Sequence, residues 1–383
     1  MKTTKTNLSA LAALLAVVIG VSACGSGSST KSTADNEIAQ AANALKEEMG
    51  DKDFNEAASA IKDELAKDEA KETTAAEEEA PEEDEIVTPD ASEFETTYDA
   101  VLEGLVINKY TGSAKRIRVP AEINGDPVKG VGYRDDVYMS FKYGFAYEAT
   151  YVELPEGIVD IGECAFAQSD NLVTVIIPNT VTSIGQAAFA GCDILETVDI
   201  PDSVTNLESQ AFENCKALKS AKIPEGSTIV KYSTFSGCSS LTEINIPESV
   251  TSIEFGAFGY CKNLKTINIP DGVTTIGQSA FTQCESLEEI TIPAGVERIE
   301  KETFKSCTGL KKITLNEGLK NISSEVFSGC KSLREMTLPS SLKYIADISR
   351  NFKECNALTV TYLGEKYNHS DWNALSDAIR SNS

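Results

Sequence analysis

The sequence predicts a β-rich α/β solenoid: a stack of 23-residue coils, each with one short parallel strand, capped at both ends. Three observations carry this reading. Pro recurs in one slot at Pro155, Pro178, Pro201, Pro224, Pro247, Pro270 and Pro293, yields that slot to Asn316, and returns at Pro339. A Phe follows at Phe166, Phe189, Phe212, Phe235, Phe258, Phe281, Phe304 and Phe327, and arrives two residues late at Phe352. Cysteines then follow at Cys192, Cys215, Cys238, Cys261, Cys284, Cys307 and Cys330, with Ser169 in the first slot and Cys355 late by the same two residues. One coil holds too few apolar groups to fold alone, but stacked coils share a continuous interior.

A representative coil reads NLKTINIPDGVTTIGQSAFTQC. Ile267 and Ile269 alternate across one residue, as a strand with one buried face requires, and Pro270 ends the ladder. Val273 and Ile276 resume the inward pattern, Gly277 permits a tight bend, and Ala280 with Phe281 turns the far side inward. About eight strands at ~4.8 Å spacing give a sheet on the order of 40 Å long.

The N-terminal part has a different composition. Lys2 and Lys5 precede the apolar run Leu8–Gly20, and the small residues Val21, Ser22 and Ala23 precede Cys24. That run is too short for a permanent bilayer span and reads as an export signal over 1–23. Residues 24–92 read as an acidic tether. GSGSSTKSTA over 25–34 has nothing to bury. Two runs of helical spacing follow, 36–49 and 54–65, separated by Gly50 and Asp51, which suits a short helical hairpin or one interrupted helix. These helices bury a thin stripe against each other or present it to a partner. Eight acids fall among the fourteen residues from Glu72 to Glu85, without the loop glycine a calcium site needs, so a solvated spacer is expected.

The tandem signature IPxxVTxIGxxAFxxC resembles the BspA-like, or treponemal-type, leucine-rich-repeat family of bacterial surface proteins, and the likeness covers about residues 93–383. Ser227–Tyr232, Asn316 and Asp347–Phe352 depart from the pattern, the last with a two-residue insertion. The segment 97–132 resembles the family's hairpin and opening repeat. Pro120 to Pro155 spans one period plus twelve residues, so Tyr133–Tyr151 is expected to be an inserted loop, with 93–149 forming hairpin, capping repeat and loop. Repeats follow over 150–360. The stretch VTYLGEKYNHSDWNALSDAI resembles the family's closing strand and helix, so 361–383 is expected to be a cap sealed by Trp372 and Leu375. VSAC followed by Gly resembles a bacterial lipoprotein signal, in which Cys24 carries a diacylglyceryl group. Ordinary secretory cleavage before a Cys is the other reading.

Composition narrows the function. The chain carries 34 basic against 59 acidic residues, a net charge of −25, which opposes nucleic-acid binding. His369 is the only histidine. It lies near Asp371, but no serine or cysteine stands in a nucleophile-elbow context, so capping is preferred to catalysis. No Cys-x-x-Cys pair occurs and a ladder cannot close a tetrahedron, so no zinc or other metal site and no cofactor are expected. The cysteines are expected to be reduced and buried, since a ladder places thiols on parallel vectors too far apart for disulfides. Cys164 stands off the ladder, with its pairing open.

Binding remains. The residue between the two buried strand positions points out of the sheet, giving a column of Glu153, Ile176, Asp199, Lys222, Asn245, Asn268, Thr291, Thr314 and Thr337. Thr174, Thr197, Ser220, Glu243, Thr266, Glu289, Lys312 and Glu335 flank it. From Asp199 to Thr337 this column is the candidate ligand-facing surface. It is polar and lacks the aromatic and Arg anchors of tight interfaces, so weak, multivalent contact with an extracellular protein or glycan is expected. The expected protein is a lipid-anchored, cell-surface adhesion monomer without catalysis. A passive envelope component is the alternative, and a cryptic enzyme the second.

Overall fold

Each coil turns through three sides, and a different device ties every side to its neighbours. On the first, Glu289–Ile292 pairs in parallel with Lys312–Leu315, Ile290 facing Ile313 and Ile292 facing Leu315. Both isoleucines are buried, while Glu289 and Thr291 are exposed. The same pairing joins Arg116–Arg118, Tyr151–Glu153 and Thr174–Ile176, Ser220–Lys222 with Glu243–Asn245, and Glu335–Thr337 with Thr359–Tyr362. Asn316, standing where Pro is usual, donates its side-chain amide to the Ile292 carbonyl at 2.9 Å and so holds the corner.

These observations come from a computed structural model that describes residues 85–132 and 145–382. The export signal over 1–23, Cys24, and the tether with its helical runs as far as residue 84 lie outside the described residues.

The second side carries a strand that the one-strand reading lacks. Ser252–Ile253 pairs in parallel with Ile229–Val230 before it and Thr275–Ile276 after it. Arg298–Ile299, Asn321–Ile322 and Tyr344–Ile345 pair likewise. Two residues alternate only once, so this strand leaves no period-two signal in the sequence. Gly277 ends it with a close approach rather than a left-handed bend: a Cβ there would lie 2.6 Å from the backbone of Glu254 and Phe255 in the preceding turn.

On the third side, consecutive turns carry the Phe column, and the Phe258 N–H donates to the Ala280 carbonyl at 2.9 Å. Phe166 through Phe352 form one continuous stack, with ring centroids 4.9 to 6.1 Å apart and planes within 13°. That spacing exceeds the ~4.8 Å between paired strands. The backbone on this side is nonetheless hydrogen-bonded from coil to coil, as on the strand sides.

The described residues begin at Glu85, inside the tether expected over 24–92. Val87 is tied to the first side: its N–H donates to the Arg116 carbonyl and its carbonyl accepts from the Arg118 N–H, covering the first edge of that sheet. The hairpin of β1 (Phe94–Asp99) and β2 (Gly104–Tyr110) starts the second-side sheet, β2 pairing with Asp126–Val131. Of the expected inserted loop, residues 133–144 lie outside the described residues. Residues 145–150 form turns and a bend that belong to the coil, and Tyr151 opens the strand Tyr151–Glu153. Phe145 is buried and meets Phe166 edge-on at 5.0 Å, and its N–H donates to the Ala165 carbonyl, so it heads the Phe stack. Its spacing of 21 from Phe166 hides it from a search at 23.

At the other end, the two-residue insertion folds as a single turn, α1 (Ile348–Asn351). Helix α2 (Trp372–Ser381) then lays Trp372, Leu375 and Ile379 on the final coil. Trp372 meets Phe352 at 5.0 Å and covers the last ring of the stack.

Candidate binding face

The first-side sheet gathers the candidate column on one face. Asn245, Asn268, Thr291 and Thr337 are exposed, as is Asp199, while Lys222 and Thr314 are half-buried. Lys222 is not free: its Nζ lies 2.6 Å from Asp202, and the hydrogen bond between them raises the ammonium pKa and lowers that of the carboxyl. This lysine therefore fixes a corner as much as it offers a charge.

The sheet is interrupted at two members of the column. Asp199 and Asn268 keep the register of their neighbours but stand outside the paired strands. Where the ladder opens at Asn268, a depression of about 340 Å³ forms between Thr266, Asn268, Glu289, Thr291, Lys312 and Thr314. A second depression, of about 490 Å³, lies between Lys311–Leu315 and Arg334–Thr337. The two share Lys312 and Thr314 and so form one shallow trough along the coils. Its walls carry Glu289 and Glu335 on either side of Lys312, and Lys311 is held by Glu288 at 2.9 Å. Outside these interruptions the paired strands leave no backbone edge, so along the trough a ligand meets mainly side-chain hydroxyls, amides and isolated charges.

The cysteines take no part in this face. All nine described cysteines are free thiols, and those on the column are buried. Burial pushes the Cys261, Cys307 and Cys355 thiols up to about 12, and half-buried Cys164, further raised by Glu163, up to about 11. Thiols so disposed are poor nucleophiles. Among the described residues, no group of three His, Cys, Asp or Glu side chains could hold a metal ion.

His369 sits in the 3-10 turn His369–Asp371, its ring 6.2 Å from Trp372. The Asp371 carboxylate accepts the Asn368 N–H at 3.0 Å, and Asn368 accepts from Ser370. That carboxylate caps the turn rather than orienting the imidazole. Two features escape a reading of periodic columns. Buried Asn351 bridges the insertion to the preceding coil. Tyr232, Phe255 and Tyr260 are exposed on the third side, where Ser209, Gln186 and Gly237 occupy the equivalent slots; reading each column for its odd member would have found them.

A family model described as "BspA type Leucine rich repeat region" matches residues 140–261 and 228–359, with six copies. No curated protein matches the chain. Among solved structures, a leucine rich cell surface protein from Faecalibacterium prausnitzii A2-165 is 29% identical, with 76% of this chain and 98% of that one covered and a TM-score of 0.49. A leucine-rich repeat protein from Bacteroides ovatus ATCC 8483 is 20% identical, with 71% and 88% covered and a TM-score of 0.45. A leucine rich repeat protein from T. pallidum is 24% identical, with 64% and 91% covered and a TM-score of 0.36.

Proposed function

The chain belongs to the BspA-type leucine-rich-repeat family, and from that premise we propose a surface protein, exported and anchored through lipid on Cys24, that binds an extracellular protein or glycan on its first-side sheet without catalysis. One observation carries this reading: the outward column of the sheet borders a continuous trough from Asn268 to Thr337, walled by hydroxyls, amides and a few charges. Such a surface makes many modest contacts with an extended polar ligand. The acidic tether would hold it off a like-charged membrane surface.

The test uses the chain with Cys24→Ala, which keeps it soluble, immobilised against extracellular-matrix proteins and a glycan array. A captured ligand should be lost from the triple variant Asn245→Asp/Asn268→Asp/Thr291→Lys. Unchanged capture of every ligand by that variant would remove the sheet-face assignment, and no capture at all would favour a passive envelope component. In the producing bacterium, labelling with a radioactive fatty acid should mark the wild type and not Cys24→Ala.

A further inference from the structure

The third side of the coil carries three exposed aromatic rings within two successive turns. Tyr232 and Phe255 stack at 5.4 Å with planes 17° apart. They are each 42% exposed and Tyr260 is 46% exposed. Tyr260 is also strained. It occupies a column whose every member is left-handed, and the others are Gln168, Gly191, Asn214, Gly237, Gln283, Ser306, Gly329 and Glu354. Gly and Asn suit that conformation, whereas a bulky aromatic ring at φ 62 is an outlier of the kind that collects at binding sites.

The neighbours of Tyr260 shape a notch. Directly before it in the column stands Gly237, which has no side chain to cover the ring on that side. The exposed carboxamide of Asn214 leans into the space a Cβ on Gly237 would fill, and makes no side-chain hydrogen bond among the described residues. Gln283 follows on the other side and Gln278 follows Phe255, both half-buried and likewise without side-chain partners. Lys231, beside Tyr232, is held by Glu208 at 2.7 Å, and Lys262, two residues after Tyr260, by Glu285 at 3.1 Å.

The geometry points to a second ligand site here, for a pyranose unit of a neutral glycan. An uncovered aromatic face meets the axial C–H groups of a sugar ring, and adjacent unpaired amides meet its hydroxyls. A nucleobase would also stack, but its polyanionic backbone is opposed by the net charge of −25. A protein partner needs roughly 800 Å² on each side, more than three rings on two turns supply. The site lies on a different side of the coil from the first-side sheet, so it does not rest on the sheet-face reading.

The experiment is saturation-transfer NMR on the soluble Cys24→Ala chain with cellohexaose, xylohexaose, maltohexaose and N-acetylchitohexaose in turn. At least one should receive saturation on one face of a pyranose ring, with binding about tenfold weaker in Tyr260→Gly and in Asn214→Ala. Gly237 and Gly329 show that the column accepts glycine, so Tyr260→Gly should keep the thermal midpoint of the parent or raise it. The sheet-face triple variant should bind the sugar unchanged, which separates failure of this site from failure of the other. No transfer from any probe, or equal transfer in Tyr260→Gly, would overturn the proposal. Loss of a captured matrix protein in Tyr260→Gly, with every sugar ignored, would overturn it in favour of a protein interface.

Discussion

The Cys261 thiol donates to the carbonyl oxygen of Phe235, one coil earlier, at 3.2 Å. That same oxygen accepts the backbone N–H of Cys238 at 3.2 Å, so both of its lone pairs are used. The relationship repeats from Cys192 on Phe166 to Cys355 on Phe327, always at 3.1 or 3.2 Å. The column thus asks for a small apolar side chain with one weak donor, which describes cysteine. Ser169 takes the first slot, where the position 26 residues earlier lies outside the described residues, and its Oγ is buried without a partner among the described residues.

Thiol reactivity should follow that burial. With iodoacetamide at pH 8, the folded chain should be labelled slowly at half-buried Cys164 and not at the column. After denaturation without reductant, all nine cysteines from Cys164 to Cys355 should be labelled, as read by peptide mass spectrometry. Rapid native labelling of Cys261 or Cys307 would contradict their buried placement, and unlabelled cysteines in the denatured chain would reveal disulfides.

The same thiols predict an alkaline loss of stability. Unfolded cysteines ionise near their ordinary value of about 8.5, whereas Cys261, Cys307 and Cys355 hold their protons to about 12 in the fold because burial disfavours the thiolate. The unfolded chain therefore binds fewer protons than the folded chain between those limits. The stabilisation is fully present below the lower limit and declines as pH rises through the window. Urea midpoints should fall from pH 8 to pH 11, less steeply in Cys261→Ala/Cys307→Ala than in the wild type. Equal slopes would show that other groups dominate.

Phe258 is fully buried between Phe235 at 5.9 Å and Phe281 at 5.6 Å. Replacing it with Ala removes a ring from the middle of the stack, where the neighbouring turns cannot collapse without breaking two ladders. A cost of about 3–5 kcal/mol is expected, measured by urea unfolding. In a linear array that loss weakens the coupling between the two halves, so the transition should also broaden or split. Phe258→Leu should cost less and remain a single transition.

Much of this was legible because repetition reveals a column whatever conformation it adopts. Phe, Cys and Pro at a period of 23 fix which side chains share the interior, and the residue between Ile267 and Ile269 must then face out. What escaped was aperiodic. The strand Ser252–Ile253 is too short to alternate, Phe145 joins the stack at a different spacing, and the trough beside Asn268 depends on where two strands part, a matter of backbone separation that residue types do not encode. Gly277 was seen, but its role is set by the Glu254 backbone beneath it rather than by a bend.

Asn351 is the clearest case of a residue whose work the sequence conceals. The two extra residues before Phe352 push the backbone out of the ladder, and a side chain fills in. The Asn351 carbonyl oxygen accepts the Val326 N–H at 2.8 Å, while its amide donates to the Ser323 carbonyl at 2.9 Å and also to that of Ala346. The residue is fully buried, so these partners have no water to turn to. Asn351→Leu fills the volume but strands a donor and two acceptors, and should cost about 2–4 kcal/mol. Asn351→Asp keeps the acceptor toward Val326 and turns a carboxylate oxygen against two carbonyls, so it should be worse than Leu at pH 7 and recover as pH falls and the acid protonates. Urea midpoints of both variants at pH 7 and pH 4 check this, and an Asp variant as stable as the wild type at pH 7 would show that the insertion is held by something other than this amide.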